Sequence, residues 1–203
     1  MFVKICGIST ADAAAAAVDS GADALGFVFA PGSPRTVTAE QVRALISELP
    51  EACETVGVFR NQPIDEVLHT ASRAGVSTVQ LHGDDTPDDF ERLRAAGFAT
   101  IRALSIDGYR RLASAGGSAP GTDRLLIDAV VPGSGATFDP ALLAGAPPEG
   151  FWILAGGLTP HNVAELVRTV RPGGVDVSSG VESSRGVKDP GLIRAFVDAV
   201  RAA

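Results

Sequence analysis

Cysteine is scarce in this chain. Cys6 and Cys53, two thiols among 203 residues, are too few for a disulfide-stapled scaffold or a Cys-rich zinc centre. Basic residues are outnumbered, 17 Lys and Arg against 24 Asp and Glu, for a formal charge of −7. Such a field is a poor lure for nucleic acid or an anionic membrane, so an anionic ligand must be held by a local set of donors. No apolar run approaches the ~20 residues of a membrane helix. The opening Met-Phe-Val-Lys lacks a basic segment followed by an apolar stretch and a cleavage site, so no signal peptide is expected and the expected address is cytoplasmic. What is present is ordinary for a globular protein: 45% hydrophobic and 20% charged side chains. This length buries roughly 70% of the unfolded surface, and one domain spanning residues 1–203 is expected.

A short motif recurs along the chain. An apolar, β-branched run ends in a polar or Gly-rich patch, and a helical pattern rich in Ala, Leu, Glu and Arg follows. Strands are predicted at 2–6, 24–29, 55–59, 78–81, 99–104, 124–128, 151–155 and 174–177, and helices at 11–20, 39–49, 63–74, 87–96, 108–115, 160–170 and 190–201. Thr10 and Thr38 suit N-caps. Pro63, Pro87, Pro160 and Pro190 suit first helical turns, where no intrahelical bond is lost, and Gly21, Gly75 and Gly97 fall where helices should stop. Between the sixth and seventh strands only one turn of helix, 140–144, is expected. Alternating strands and helices imply an α/β fold with a parallel sheet and right-handed crossovers. About eight units of ~25 residues match a (β/α)8 TIM barrel; a doubly wound open sheet is the alternative, because periodicity does not show whether the first strand meets the last.

Strands buried on both faces should be continuously apolar, yet several here carry polar residues towards their C-terminal ends: Lys4 and Cys6, Gln80 and His82, Arg102, Asp128, and Asp176 and Ser178. Unpartnered, such groups cost several kcal/mol each to bury, at the upper end of the scale, and the C-terminal mouth of a barrel is where active sites sit. Each taken singly has a plain structural reading: a core thiol, a loop-capping Asp, a loop His, a solvated Arg35. Their joint placement at one rim favours a site. Closure of the barrel would also make the first and eighth strands neighbours, so a buried Lys4–Asp176 pair is expected. Two Gly-containing loops, 154–160 and 177–182, follow the seventh and eighth strands. There backbone amides can approach an anion closely, as barrel phosphate sites commonly do. Gly156, Gly157, Ser179 and Gly180 are the expected phosphate grip.

These residues resemble the phosphoribosylanthranilate isomerase family of tryptophan biosynthesis, nearly end to end. The matching blocks include Lys4-Ile5-Cys6-Gly7, Ser33-Pro34-Arg35, Val79-Gln80-Leu81-His82-Gly83, Leu126-Ile127-Asp128, Ala155-Gly156-Gly157-Leu158 and Asp176-Val177-Ser178-Ser179-Gly180-Val181-Glu182. The resemblance implies an Amadori rearrangement in which a phosphoribosyl aminal of anthranilate becomes an amino-ketone. It implies Asp128 as the acid that protonates the furanose oxygen and Cys6 as the base that takes the sugar C2 proton. Asp128 must then hold its proton near neutral pH, and Cys6 must be thiolate part of the time, with Lys4 on its face to stabilise it. By the same resemblance Arg35 holds the anthranilate carboxylate, and His82 and Asp176 line the pocket. No metal and no organic cofactor is implied. The implied partner is a phosphorylated small molecule, with no nucleic acid and no membrane, acting on a monomer or homodimer. The chain departs from the family pattern at 133–140, where Ala136 and Thr137 precede Phe138-Asp139 and Pro140 follows; the family usually has a Lys before that pair and an aromatic after it.

The alternatives are another phosphosugar barrel isomerase or a non-catalytic phosphometabolite-binding barrel. The histidine-pathway ribotide isomerase, which performs the same rearrangement, uses aspartates at the ends of the first and fifth strands, where this chain has Cys6 and Leu104. A mere sensor needs neither acid nor base.

Overall fold

The computed structural model describes residues 1–114, 124–128, 148 and 150–203. The expected turn at 140–144 and the departing loop at 133–140 lie outside the described residues. Eight parallel strands close into a barrel in chain order: β1 (Phe2–Cys6), β2 (Ala24–Val28), β3 (Glu54–Phe59), β4 (Thr78–His82), β5 (Ala99–Ser105), β6 (Arg124–Asp128), β7 (Trp152–Ala155) and β8 (Gly174–Val177). Closure comes from β1 pairing with β8, with Lys4 opposite Asp176. The open-sheet alternative is therefore excluded. Seven helices are present among the described residues: α1 (Ala11–Asp19), α2 (Ala39–Ile46), α3 (Ile64–Ala74), α4 (Pro87–Ala95), α5 (Ile106–Ser114), α6 (Val163–Val170) and α7 (Pro190–Arg201).

Local chemistry explains the helix ends. Thr10 accepts from Ala13 N at the start of α1, and Thr38 forms a reciprocal capping box with Gln41 ahead of α2. Pro87 and Pro190 occupy first turns as expected. Pro63 stands one position earlier, at the N-cap of α3, and Pro160 lies outside its helix altogether: α6 begins at Val163. Instead the Asn162 side chain stitches the preceding loop, accepting from Thr159 N at 2.8 Å and donating to Gly157 O at 2.9 Å. That bridge holds 157–162 as a turn before the helix can start.

The core has two shells, set by strand parity. Alternate residues facing outward pack under the helices, among them Val3, Ile5, Leu25, Phe27, Val79 and Leu81. Those facing inward fill the barrel with small and branched side chains: Ala24, Val56, Val58, Ile101, Ala103, Leu126, Ile153 and Ala155, with Cys6 among them. Arg102 belongs to the outer parity, against the expectation that it sits with the rim polar groups. Its guanidinium lies 5.7 Å from the centroid of Phe90 on α4, a cation–π contact on the outside of the sheet.

An element absent from the sequence reading follows β8. A 3-10 turn, Ser179–Val181, leads into a small antiparallel hairpin, β9 (Glu182–Ser184) with β10 (Val187–Lys188), in which Lys188 pairs with Glu182.

Candidate active site

The inward parity carries the polar residues up the barrel. Deepest is Lys4, fully buried, whose ammonium donates to Asp176 Oδ1 at 3.0 Å. This is the pair expected from closure of the barrel. Burial works against the charge on Lys4, but Asp176 and Cys6 outweigh it and hold the ammonium above its ordinary value. One residue pair further up, Cys6 faces the mouth, 8% exposed. Gly26 on the neighbouring strand makes room for it: a methyl there would meet Cys6 Sγ at 2.9 Å and Cys6 Cα at 3.1 Å.

At the C-terminal ends of the strands a cavity of about 230 Å³ opens. Cys6, His82, Asp128, Asp176, Gly156, Gly157, Ser179 and Gly180 all line it, so a thiol from β1 and a carboxyl from β6 share one sugar-sized hollow with both glycine loops. A roomier groove of about 710 Å³ lies between α1 and α2, but no strand end and no glycine loop reaches it.

Electrostatics distinguish the groups. Burial pushes the Cys6 thiol up, and Lys4 and Lys188 pull it back only in part. Lys4 thus acts in the expected direction, yet desolvation wins and Cys6 is a thiol in the unliganded protein. Burial lowers the His82 pKa, against the opposing pull of Asp128, which leaves a neutral imidazole beside the carboxyl at neutral pH. Gln80, 3% exposed, also lines the cavity, and its Oε1 accepts no hydrogen bond among the described residues.

The glycine loops are shaped for close approach. Gly156 and Gly157 have φ of +94° and +65°, left-handed conformations that side chains resist. Gly180 is pressed against the other loop, where a methyl would overlap the Leu158 carbonyl oxygen and lie 3.2 Å from Thr159 Cα.

Arg35 is the predicted residue that does not line the cavity. It lies alongside, its stem crossing Gly7, and its guanidinium grips Glu182 through Nε at 2.6 Å and Nη2 at 2.9 Å. Glu182 and Lys188 were not singled out from the sequence as site residues. Their signal was weak: Glu182 ends a recognisable block, but nothing local shows that it faces a residue 147 positions away.

Comparison with known proteins fits this geometry. A family model described as N-(5'phosphoribosyl)anthranilate (PRA) isomerase matches residues 3–199. The chain belongs to that family. An N-(5'-phosphoribosyl)anthranilate isomerase of Deinococcus radiodurans is 44% identical over 202 residues, covering 98% of this chain and 96% of the relative. The crystal structure of TrpF from Jonesia denitrificans superposes with a TM-score of 0.87 at 44% identity, covering 100% of this chain and 97% of that one. A phosphoribosyl anthranilate isomerase in complex with reduced 1-(o-carboxyphenylamino)-1-deoxyribulose 5-phosphate superposes with a TM-score of 0.85 at 35% identity, covering 100% of both chains. Among the described residues no helix is long and apolar enough to cross a membrane.

Proposed function

We propose that the mouth of this barrel converts N-(5-phosphoribosyl)anthranilate to 1-(2-carboxyphenylamino)-1-deoxyribulose 5-phosphate, the isomerisation of its family in tryptophan biosynthesis, with Asp128 as acid and Cys6 as base. The observation that carries this reading is the shared cavity: Cys6 and Asp128 arrive from β1 and β6 and flank one hollow beside two glycine loops. Gly156, Gly157, Ser179 and Gly180 hold the phosphate through backbone amides, which suits a chain of net charge −7. With the phosphate anchored, the ribose spans the cavity. Asp128 protonates the furanose oxygen and the C1–O bond opens to a Schiff base. Cys6, as thiolate, removes the C2 proton, giving an enolamine that tautomerises to the ketone.

Because burial holds Cys6 as a thiol in the free protein, the thiolate is a minor species, and Lys4 and Lys188 supply the positive charge that keeps it accessible. Arg35 binds the anthranilate carboxylate, and His82 and Asp176 line the sugar. All these residues come from one chain, which suits a monomer or a homodimer, and the enzyme works in the cytoplasm. Cys6→Ser and Asp128→Asn should each lower kcat by about 10²–10⁴-fold with an unchanged unfolding midpoint. The assay follows the decay of anthranilate fluorescence with purified protein, beside growth rescue of a tryptophan auxotroph lacking this isomerase. Near-wild-type turnover in either variant removes that residue from its role.

A further inference from the structure

The hairpin after β8 builds a clamp around one carboxylate. The Glu182 side chain is buried, 4% exposed. Its Oε1 accepts from Arg35 Nε at 2.6 Å and Lys188 Nζ at 2.9 Å, and its Oε2 accepts from Arg35 Nη2 at 2.9 Å and Gly186 N at 2.9 Å. Four donors fill the roughly four lone-pair sites that a carboxylate offers. Burial disfavours the charge on Glu182, but these donors outweigh it and bring the carboxyl down to about 2. The clamp also reaches the phosphate loop, because Lys188 Nζ donates to Ser178 O at 2.9 Å, next to Ser179 and Gly180.

The same contacts fix Arg35 from two sides. Gly7, directly after Cys6, has φ of +81°, and a methyl there would meet Arg35 Cδ at 2.5 Å. The hairpin closes over the arginine's own loop, where a methyl on Gly186 would lie 2.9 Å from Pro34 O. A guanidinium is planar and has two forked edges. Glu182 occupies the Nε/Nη2 edge, while Nη1 donates to no acceptor among the described residues.

We infer that Glu182 is a positioning residue for Arg35: by gripping one edge of the guanidinium it presents the other, Nη1/Nη2, edge to the ring carboxylate of the substrate. This rests on the reading of Arg35 given above and adds to it the residue that determines specificity for a carboxylated ring. Two cations around one carboxylate leave the cluster one net positive charge, so attraction for the substrate survives the pairing. Pre-ordering a flexible arginine also spares the cost of ordering it on binding.

The test measures binding of two ligands, reduced 1-(2-carboxyphenylamino)-1-deoxyribulose 5-phosphate and its phenylamino counterpart lacking the carboxylate, and reads the preference ratio, the Kd of the phenylamino ligand divided by the Kd of the carboxylated one. Glu182→Asp keeps the charge and retracts the carboxylate. Glu182→Gln keeps the shape and adds net positive charge to the cluster. Both variants should cut the ratio by about tenfold, the scale of one charge-assisted hydrogen bond, with the phenylamino ligand binding as before. A role in charge alone predicts no change for Glu182→Asp and a larger ratio for Glu182→Gln. A role in folding alone weakens both ligands equally and leaves the ratio intact. Any of these results overturns the inference. If Glu182→Asp does not fold, the isosteric Glu182→Gln decides. Arg35→Ala is the control: a collapsed ratio there with intact ratios in the Glu182 variants refutes positioning while sparing the Arg35 assignment. An unchanged ratio in Arg35→Ala refutes the assignment itself and the positioning with it.

Discussion

Replacing Lys4 with Met tests the architecture beneath the site. Lys4 is fully buried and its ammonium lies 3.0 Å from Asp176, whose side chain is 9% exposed. Met matches the volume and removes the charge, stranding a carboxylate in the barrel. The stranded group can stay ionised, at a cost of several kcal/mol, or take up a proton. Protonation sets a ceiling on the loss. An ordinary Asp has a pKa near 3.9 and each unit is worth about 1.36 kcal/mol, so protonating it costs about 4 kcal/mol at pH 7 and about 1.5 kcal/mol at pH 5. Lys188, within electrostatic reach of Asp176, lowers the loss somewhat below that ceiling. Burial already holds the Asp176 carboxyl above its ordinary value in the parent, and Lys4 pulls it back only in part; without Lys4 it rises further, so the deficit against the parent grows as pH rises and shrinks as it falls. The parent already bears part of that cost, because its own Asp176 is raised by burial; against a total stability of about 5–15 kcal/mol, a loss of up to about 4 kcal/mol at pH 7 is readily measured. Trp152, the single tryptophan and 4% exposed, reports urea unfolding by fluorescence. Lys4→Met with Asp176→Asn should recover most of the loss. A loss below about 1 kcal/mol at pH 7, or one equal at pH 5 and pH 7, would refute the claim that this pair is buried and mutually dependent.

Three further outcomes are expected. Gly180→Ala places a methyl against backbone atoms of the neighbouring loop, which cannot rotate aside; it should cost about 1–3 kcal/mol and weaken competitive inhibition by inorganic phosphate, and an unchanged inhibition constant would contradict the phosphate assignment. Glu182 has a folded pKa of about 2 against an ordinary 4.5, so the stability it contributes is present above 4.5 and lost as pH falls towards 2; urea midpoints across that window should drop in the parent and drop less steeply in Glu182→Gln, where carboxylates such as Glu54 still titrate. Because burial raises the Cys6 thiol, kcat/KM should rise on the alkaline side of an ordinary thiol and Lys4→Met should push that limb higher; a limb at or below the ordinary thiol value would contradict it.

Much of the site was legible as one-dimensional pattern. The alternation of apolar runs and helical stretches gave the strand count, because a parallel strand and its crossover each have a characteristic period. Lys4, Cys6, Gln80, Asp128 and Asp176 stood out as polar groups in apolar runs. Arg102 stood out equally and misled, since strand ends differ by a residue and parity cannot be assigned until the register is known; its neighbours Ile101 and Ala103 turned out to face the barrel. Pro160 misled for a local reason, a side-chain bridge from Asn162 that favours a turn over a first helical turn.

The linear chain determined which residue types stood at each strand end and in each glycine loop, because these follow from spacing within a few residues. Three things needed the folded molecule. Closure depends on β1 finding β8, a contact across most of the chain that no local period encodes. The grip of Glu182 on Arg35 joins residues 147 positions apart and so depends on where two loops meet. The protonation of Cys6 depends on how deeply it is buried beside Lys4. Desolvation arises only once the walls are assembled, and it is there that the balance between thiol and thiolate is struck.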